Sequence, residues 1–175
     1  MKRLSLLIVG LGVLVSGCGS SDSPAAPTTP ANPTFTATLL PANENPAIVG
    51  AEASGKGDAT VTLVITKDAS NNITSATGTF VVNLSGFPPN TPINIAHIHT
   101  GAAGVNGGIV MNSNLAAGNV VLNSSGAGSF TAVNLSFTSL DVANQLLANP
   151  SLFYFNVHST LNPGGVARGQ LTRTQ

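Results

Sequence analysis

From Phe35 onward, apolar and polar positions alternate in short runs separated by Gly, Asn and Pro. The clearest run is "GDATVTLVITKD" (57–68). There Ala59, Val61, Leu63 and Ile65 fall on one face, with Thr60, Thr62 and Thr66 on the other. That is the two-residue period of a half-buried strand. "ITSATGTFVVNLSGF" (73–87) repeats it with Phe80, Val82 and Leu84 on a shared face, and "ASNN" (69–72) between the two reads as a turn. The pair predicts a β-hairpin. "FTATLL", "INIAHIH", "GGIVMNSNL", "NVVLNSS", "GSFTAVNLSF", "FYFNVHST" and "GVARGQLTR" read as further strands.

"TSLDVANQLLANP" (138–150) breaks the pattern. Leu140, Ala143, Leu146 and Leu147 recur at helical spacing, Thr138 or Ser139 can cap the start, and Pro150 follows the end. A single short helix crossing between strands is expected. Roughly seven or eight short strands with regularly spaced turns predict an all-β fold. The expected form is an antiparallel Greek-key β-sandwich or barrel with one short crossover helix. No internal repeat is visible.

The N-terminal pattern is different. Lys2 and Arg3 precede an apolar run from Leu4 to Val15, which suits a signal peptide and is too short to span a bilayer. Val15-Ser16-Gly17-Cys18 resembles the lipobox of bacterial lipoproteins, whose cysteine receives acyl chains such as palmitate and becomes the first mature residue. Gly19 stands where that class carries an aspartate for inner-membrane retention, so the resemblance implies the cell outer membrane, on either its periplasmic or its outer face. "GSSDSPAAPTTPANPT" (19–34) has almost no large apolar residue and cannot bury enough surface to fold. The expected organisation is a signal peptide at 1–17, a flexible tether at 18–34 and one β-domain at 35–175.

Composition narrows the function. Cys18 is the only cysteine, so neither a disulfide nor a thiolate metal site is available and the core must hold the fold. After residue 17 the charges are Lys56, Lys67, Arg168 and Arg173 against Asp22, Glu44, Glu52, Asp58, Asp68 and Asp141, a formal net of −2. With no basic patch to neutralise phosphates, nucleic acid is excluded as a partner. The expected partners are the membrane, through the N-terminal lipid, and an envelope or extracellular protein or polymer that the sequence does not identify.

The chain has three histidines. In "INIAHIH", His97 and His99 are two apart and share a strand face, while Ile98 points to the opposite, core face. In "FYFNVHS", Phe153, Phe155 and Val157 take the core face, so Tyr154, Asn156 and His158 point outward. Cβ atoms at i and i+2 on a strand lie roughly 6–7 Å apart, within reach of one ion. Neutral imidazole suits copper, zinc, nickel or iron, and His158 from a neighbouring strand would complete a three-ligand site. The competing reading has the imidazoles hydrogen-bonding backbone carbonyls around the loop "TGAAGVNGG", whose glycines serve positive φ angles. That loop precedes no helix and is not a phosphate-binding fingerprint.

Other chemistry is sparse. There is no Gly-x-Ser-x-Gly elbow. Glu44, Glu52 and Asp58 read as solvated loop carboxylates, and Tyr154 as a surface or interface residue. Arg168 is expected to clamp a loop carboxylate or carbonyl, with attraction of an anion to a nearby site as the alternative. An enzyme is not the favoured reading.

"ATLLPANENPAIVGAEASGKGDATVTL" (37–63), "IAHIHTGAAGVNGGIV" (95–110) and "FNVHSTLNPGGVARGQL" (155–171) together resemble the CHRD domain, the module repeated in the animal protein chordin. The likeness covers about residues 35–173. It implies an extracellular or envelope module with a binding or structural role and no known reaction.

A more distant likeness is to copper,zinc superoxide dismutase, a Greek-key β-sandwich. It shares the order His-x-His, Gly-rich loop, Val-His on a late strand, then Arg. The likeness implies His97, His99 and His158 as ligands of copper or another transition metal, and Arg168 as the residue beside a redox site. The bridging histidine, the zinc cluster and the disulfide of that family have no counterpart here. The sites carried forward are thus lipidation at Cys18, a metal at His97, His99 and His158 (or no cofactor at all), and Arg168 only in a metal-dependent redox enzyme.

Overall fold

The structure is a computed structural model that describes residues 32–175. The expected signal peptide, Cys18 and most of the tether lie outside the described residues.

The described residues form ten antiparallel strands and one α-helix: β1 (Thr34–Leu39), β2 (Lys56–Lys67), β3 (Ile73–Ser85), β4 (Pro92–Thr100), β5 (Ile109–Asn112), β6 (Val120–Val121), β7 (Gly128–Ser136), α1 (Leu140–Ala148), β8 (Phe153–Ser159), β9 (Ala167–Gln170) and β10 (Thr172–Arg173). They make two sheets. One runs β10-β1-β2-β3-β7; the other runs β5-β4-β8-β9, with β6 also pairing β4. After β3 the chain crosses to the second sheet for β4, β5 and β6, then returns so that β7 lies beside β3, the Greek-key path. The count exceeds the sequence expectation because "GVARGQLTR", read as one strand, divides into β9 and the two-residue β10.

Alternation fixes the core. Phe35, Leu39, Val61, Leu63, Phe80 and Val82 of the first sheet are buried against Ile93, Ile98, Phe155 and Val157 of the second. Burying each large apolar side chain stabilises by about 1.5–3 kcal/mol. Phe80 and Phe155 meet edge-to-face across the layers, with ring centroids 4.9 Å apart. In the β2–β3 hairpin, Asp68 Oδ1 accepts from the backbone N–H groups of Ser70 and Asn72, and Asn71 takes φ 68° to close the turn.

α1 carries the chain from β7 in one sheet to β8 in the other. Ser139 caps it, its Oγ accepting from Val142 N at 3.3 Å. Ala143 and Leu146 are buried, with Val142 and Leu147 packed beside them, whereas Leu140 lies outside that face and is exposed. The chain ends beside its first strand: Thr174 N donates to Thr34 O at 2.8 Å, and Pro33 O accepts from Leu63 N. β1 begins at Thr34, one residue before the expected domain boundary.

The second sheet overturns one expectation. All seven residues of β8 are buried, so the face carrying Tyr154, Asn156 and His158 is covered. Its cover comes from the loops around 41–49, 101–108 and 160–166. Asn45 Nδ2 donates to Gly104 O at 2.7 Å and Asn106 Nδ2 to Asn45 O at 2.8 Å, which joins the first two loops above the sheet. Glu44 and Glu52 are buried as well, contrary to the solvated reading. Asp58 is exposed as expected, paired with Asn83 Nδ2 at 2.9 Å.

Candidate metal centre

β4 and β8 run side by side with Ile95 opposite His158, His97 opposite Asn156 and His99 opposite Tyr154. His158 therefore lies diagonally across from His97. The rings of His97 and His158 are 4.9 Å apart, those of His97 and His99 5.3 Å. One ring nitrogen from each of the three histidines lies within 4.8 Å of the other two. Two nitrogens each about 2.1 Å from one ion can be at most about 4.2 Å apart. The widest pair must close slightly to share a metal.

Backbone carbonyls set two tautomers. His99 Nδ1–H donates to Gly107 O at 3.0 Å, and His158 Nδ1–H donates to Pro163 O at 2.9 Å. Both rings therefore carry their lone pair on Nε2, the usual arrangement for a histidine oriented by an outer partner. His158 Nε2 accepts from His97 Nδ1 at 3.1 Å. His99 Nε2 is buried and has no partner among protein atoms.

The three rings are held neutral. Burial, then the charges of His158 and His99, pushes His97 from 6.5 down to about 4. Burial also lowers His99, opposed by the Gly107 bond and reinforced by His158 and Arg168. His158 is lowered by burial against the Pro163 bond. Neutral imidazole is the form that ligates a metal.

A shell of buried side chains surrounds the cluster. Tyr154, expected at the surface, is 3% exposed and stacks on His99 at 4.9 Å and 6° between planes. Its hydroxyl accepts from Gly107 N at 3.3 Å, and the Arg168 guanidinium lies 4.8 Å from its ring centre. Arg168 takes the clamping role: Nε donates to Asn43 O at 2.6 Å and Nη1 to Asn106 Oδ1 at 2.7 Å. Its Nε is 3.8 Å from Glu44 Oε2. Glu44 nevertheless sits at about 7 against an ordinary 4.5, because burial outweighs the guanidinium.

Glu52 Oε2 accepts from Ser159 Oγ at 2.7 Å and Asn162 Nδ2 at 2.5 Å, fixing the turn that presents Pro163 O to His158. Neither Glu52 nor Pro163 carries a sequence signal for this role. Asn106 stood in the glycine loop, where its side chain could have been suspected. Within that loop Gly101 and Gly104 take positive φ. Gly107 is needed for a different reason: a Cβ there would lie 1.6 Å from Thr100 O.

Two of the histidines thus grip carbonyls, and the ring nitrogens of all three lie close together. Among the described residues no helix is long and apolar enough to cross a membrane. No curated protein and no solved structure matches the chain. The CHRD domain family matches residues 35–171, and the chain belongs to that family.

Proposed function

We propose that this is an outer-membrane lipoprotein, acylated at Cys18 and tethered through residues 18–34. Its CHRD domain acts as a binding or structural module of the envelope. Its specific ligand is a transition-metal ion held by His97 Nδ1, His99 Nε2 and His158 Nε2. The observation that supports the metal is the pair of carbonyl-pinned tautomers beside a buried, partnerless His99 Nε2. An all-imidazole set of neutral rings favours copper or zinc over hard cations. Binding requires that the His97 proton move from Nδ1 to Nε2 and that the widest pair of ring nitrogens close slightly.

The same three ligands would leave a position open for a redox reaction of the dismutase type. Arg168 gives that reading little help, since Nε and Nη1 are already committed to Asn43 and Asn106.

Calorimetric titration of the untagged domain with copper(II) and zinc(II), beside a His97→Ala/His99→Ala double variant, tests the metal. One-to-one binding lost in the variant supports it, and a folded wild-type domain that binds neither ion overturns it. Radiolabelled palmitate incorporation that disappears in Cys18→Ser tests the anchor.

A further inference from the structure

The carboxyl of Glu44 is buried without a donor. Its Oε1 bonds to no protein atom, and its Oε2 stands 3.8 Å from Arg168 Nε, beyond hydrogen-bond length. Arg168 does not turn toward it, because Nε and Nη1 are committed to Asn43 and Asn106. On β8, Asn156 is 2% exposed and its Oδ1 is likewise buried without a donor. The two groups meet at Gly165. A Cβ added there would lie 2.9 Å from Glu44 Oε1, 3.0 Å from Asn156 Oδ1 and 2.6 Å from Asn156 Nδ2.

Two acceptor oxygens brought together in the interior repel unless a hydrogen lies between them. A buried carboxylate with no donor is strongly disfavoured, whereas a carboxylic acid carries an O–H of its own. Placed on Oε1, that proton supplies the donor that Asn156 Oδ1 lacks and removes the charge as well. Burial favours the same form, since it holds Glu44 at about 7 against an ordinary 4.5 despite Arg168.

Glu44 also sits at the root of the cover over the histidines. The next residue, Asn45, is tied to Gly104 and Asn106, and Gly107 beyond them supplies the carbonyl that orients His99. What fastens Glu44 to β8 therefore fastens the 41–49 loop to the sheet and, through it, the glycine loop.

We propose that Glu44 and Asn156 form a proton-operated latch: the Glu44 carboxylic acid donates Oε1–H to Asn156 Oδ1 and holds the cover closed, and loss of that proton to solvent frees the 41–49 loop and opens the histidine face. The charge left on Glu44 reaches water only as the loop lifts. The other titratable groups on this face are Arg168 from β9, Tyr154 and His158 from β8, and His97 and His99 from β4; the 101–108 and 160–166 loops carry none. Opening lets the histidines take up protons in acid, which acts in the opposite direction. A comparison with Glu44→Gln cancels that effect, and the latch itself needs no metal.

The test is carbon-detected NMR and amide hydrogen exchange on isotope-labelled protein with chelator present, beside Glu44→Gln, whose carboxamide can donate to Asn156 Oδ1 at any pH. The Glu44 carboxyl carbon is expected to show the protonated form at about pH 5.5, where a solvated glutamate is ionised. A carboxylate signal there overturns the proposal. Protection of the Ile48 and Gly107 amides, which bond to Pro41 O and the Tyr154 hydroxyl, should fall about tenfold or more relative to the variant between about pH 5 and 8. At the upper pH both amides should exchange about tenfold or more faster than that of Val61 in the central strand β2, the mark of a local opening. Asn156→Leu, which removes the acceptor, should lower their protection already at the lower pH. Parallel curves for wild type and Glu44→Gln, exchange only in step with Val61, or full protection in folded Asn156→Leu overturns the latch. Should either variant fail to fold, the carboxyl signal and the comparison with Val61 decide. Chelator keeps every outcome apart from the fate of the metal reading.

Discussion

The hydroxyl of Ser159 donates to the carboxylate of Glu52 at 2.7 Å, across 107 residues of chain. Ser159 follows His158 directly. The same carboxylate holds Asn162, one residue before the Pro163 carbonyl that orients the His158 ring. A loop residue far away in sequence thus governs the direction of a candidate ligand.

Replacing Glu52 with Leu should leave the buried Ser159 hydroxyl and the Asn162 amide without their acceptor. The cost is about 1–3 kcal/mol of stability, read from the urea midpoint. Metal affinity should fall by about tenfold or more, as when outer partners of ligating histidines are removed. An unchanged affinity at reduced stability would show that Pro163 holds His158 without this help.

Arg168→Lys should destabilise by about 2 kcal/mol or more. An ammonium cannot reach the Asn43 carbonyl and the Asn106 carboxamide in the fixed geometry of a guanidinium. It also loses the planar contact with Tyr154. Thermal unfolding with near-ultraviolet circular dichroism checks both, because Tyr154 is the only tyrosine.

The glycine loop offers a matched pair. At Gly107 an added Cβ would meet Thr100 O at 1.6 Å, while at Gly108 nothing lies within 4 Å. Gly107→Ala should therefore displace the loop and remove the carbonyl partner of His99, at a cost in the severe range of about 4 kcal/mol. Gly108→Ala should stay within about 0.5 kcal/mol of the wild type. Equal melting temperatures for the two variants would refute the close approach at Gly107.

Two opposed titrations shape the acid side. His97, His99 and His158 sit below their ordinary 6.5, His97 at about 4. The unfolded chain takes up these protons first, so their contribution is present above about pH 6.5 and is lost as pH falls toward 4. Glu44 is raised from 4.5 to about 7. Its contribution is complete below about 4.5 and is lost as pH rises through 7. Between these limits the effects offset one another. Glu44→Gln removes the second, so its metal-free stability should rise more steeply than that of the wild type between about pH 4.5 and 6.5. Urea midpoints measured across that range would show parallel curves if Glu44 ionised normally.

What the sequence discloses and what it conceals have physical reasons. The β2–β3 hairpin, the Ser139 cap and the shared face of His97 and His99 are local, set by a period of two or by one hydrogen bond within three residues. That Ile98 and Phe155 point to the core follows from the same alternation. Tyr154 escapes the sequence because alternation tells which side of a strand a residue occupies, not whether that side is open; Glu44 and Glu52 escape it because a loop carries no period to tell where it packs. Here the outward face is roofed by loops whose contacts span 59 to 125 residues, and no periodicity reports on those. Arg168 was legible because cations are so scarce that one beside a Gly-Gly turn invited a structural role.

The pairing of Thr34 with the last residues of the chain bears on how the domain carries a load. β1 lies between β2 and β10, antiparallel to both, and its hydrogen bonds run crosswise to the strand. A pull applied at residue 34 along β1 strains those bonds together, in shear, instead of peeling them one after another. Leu40, which directly follows β1, pairs both ways with Arg168 of the histidine sheet, so a domain tugged by its N-terminal end would spread the load over both sheets before the pulled strand could leave.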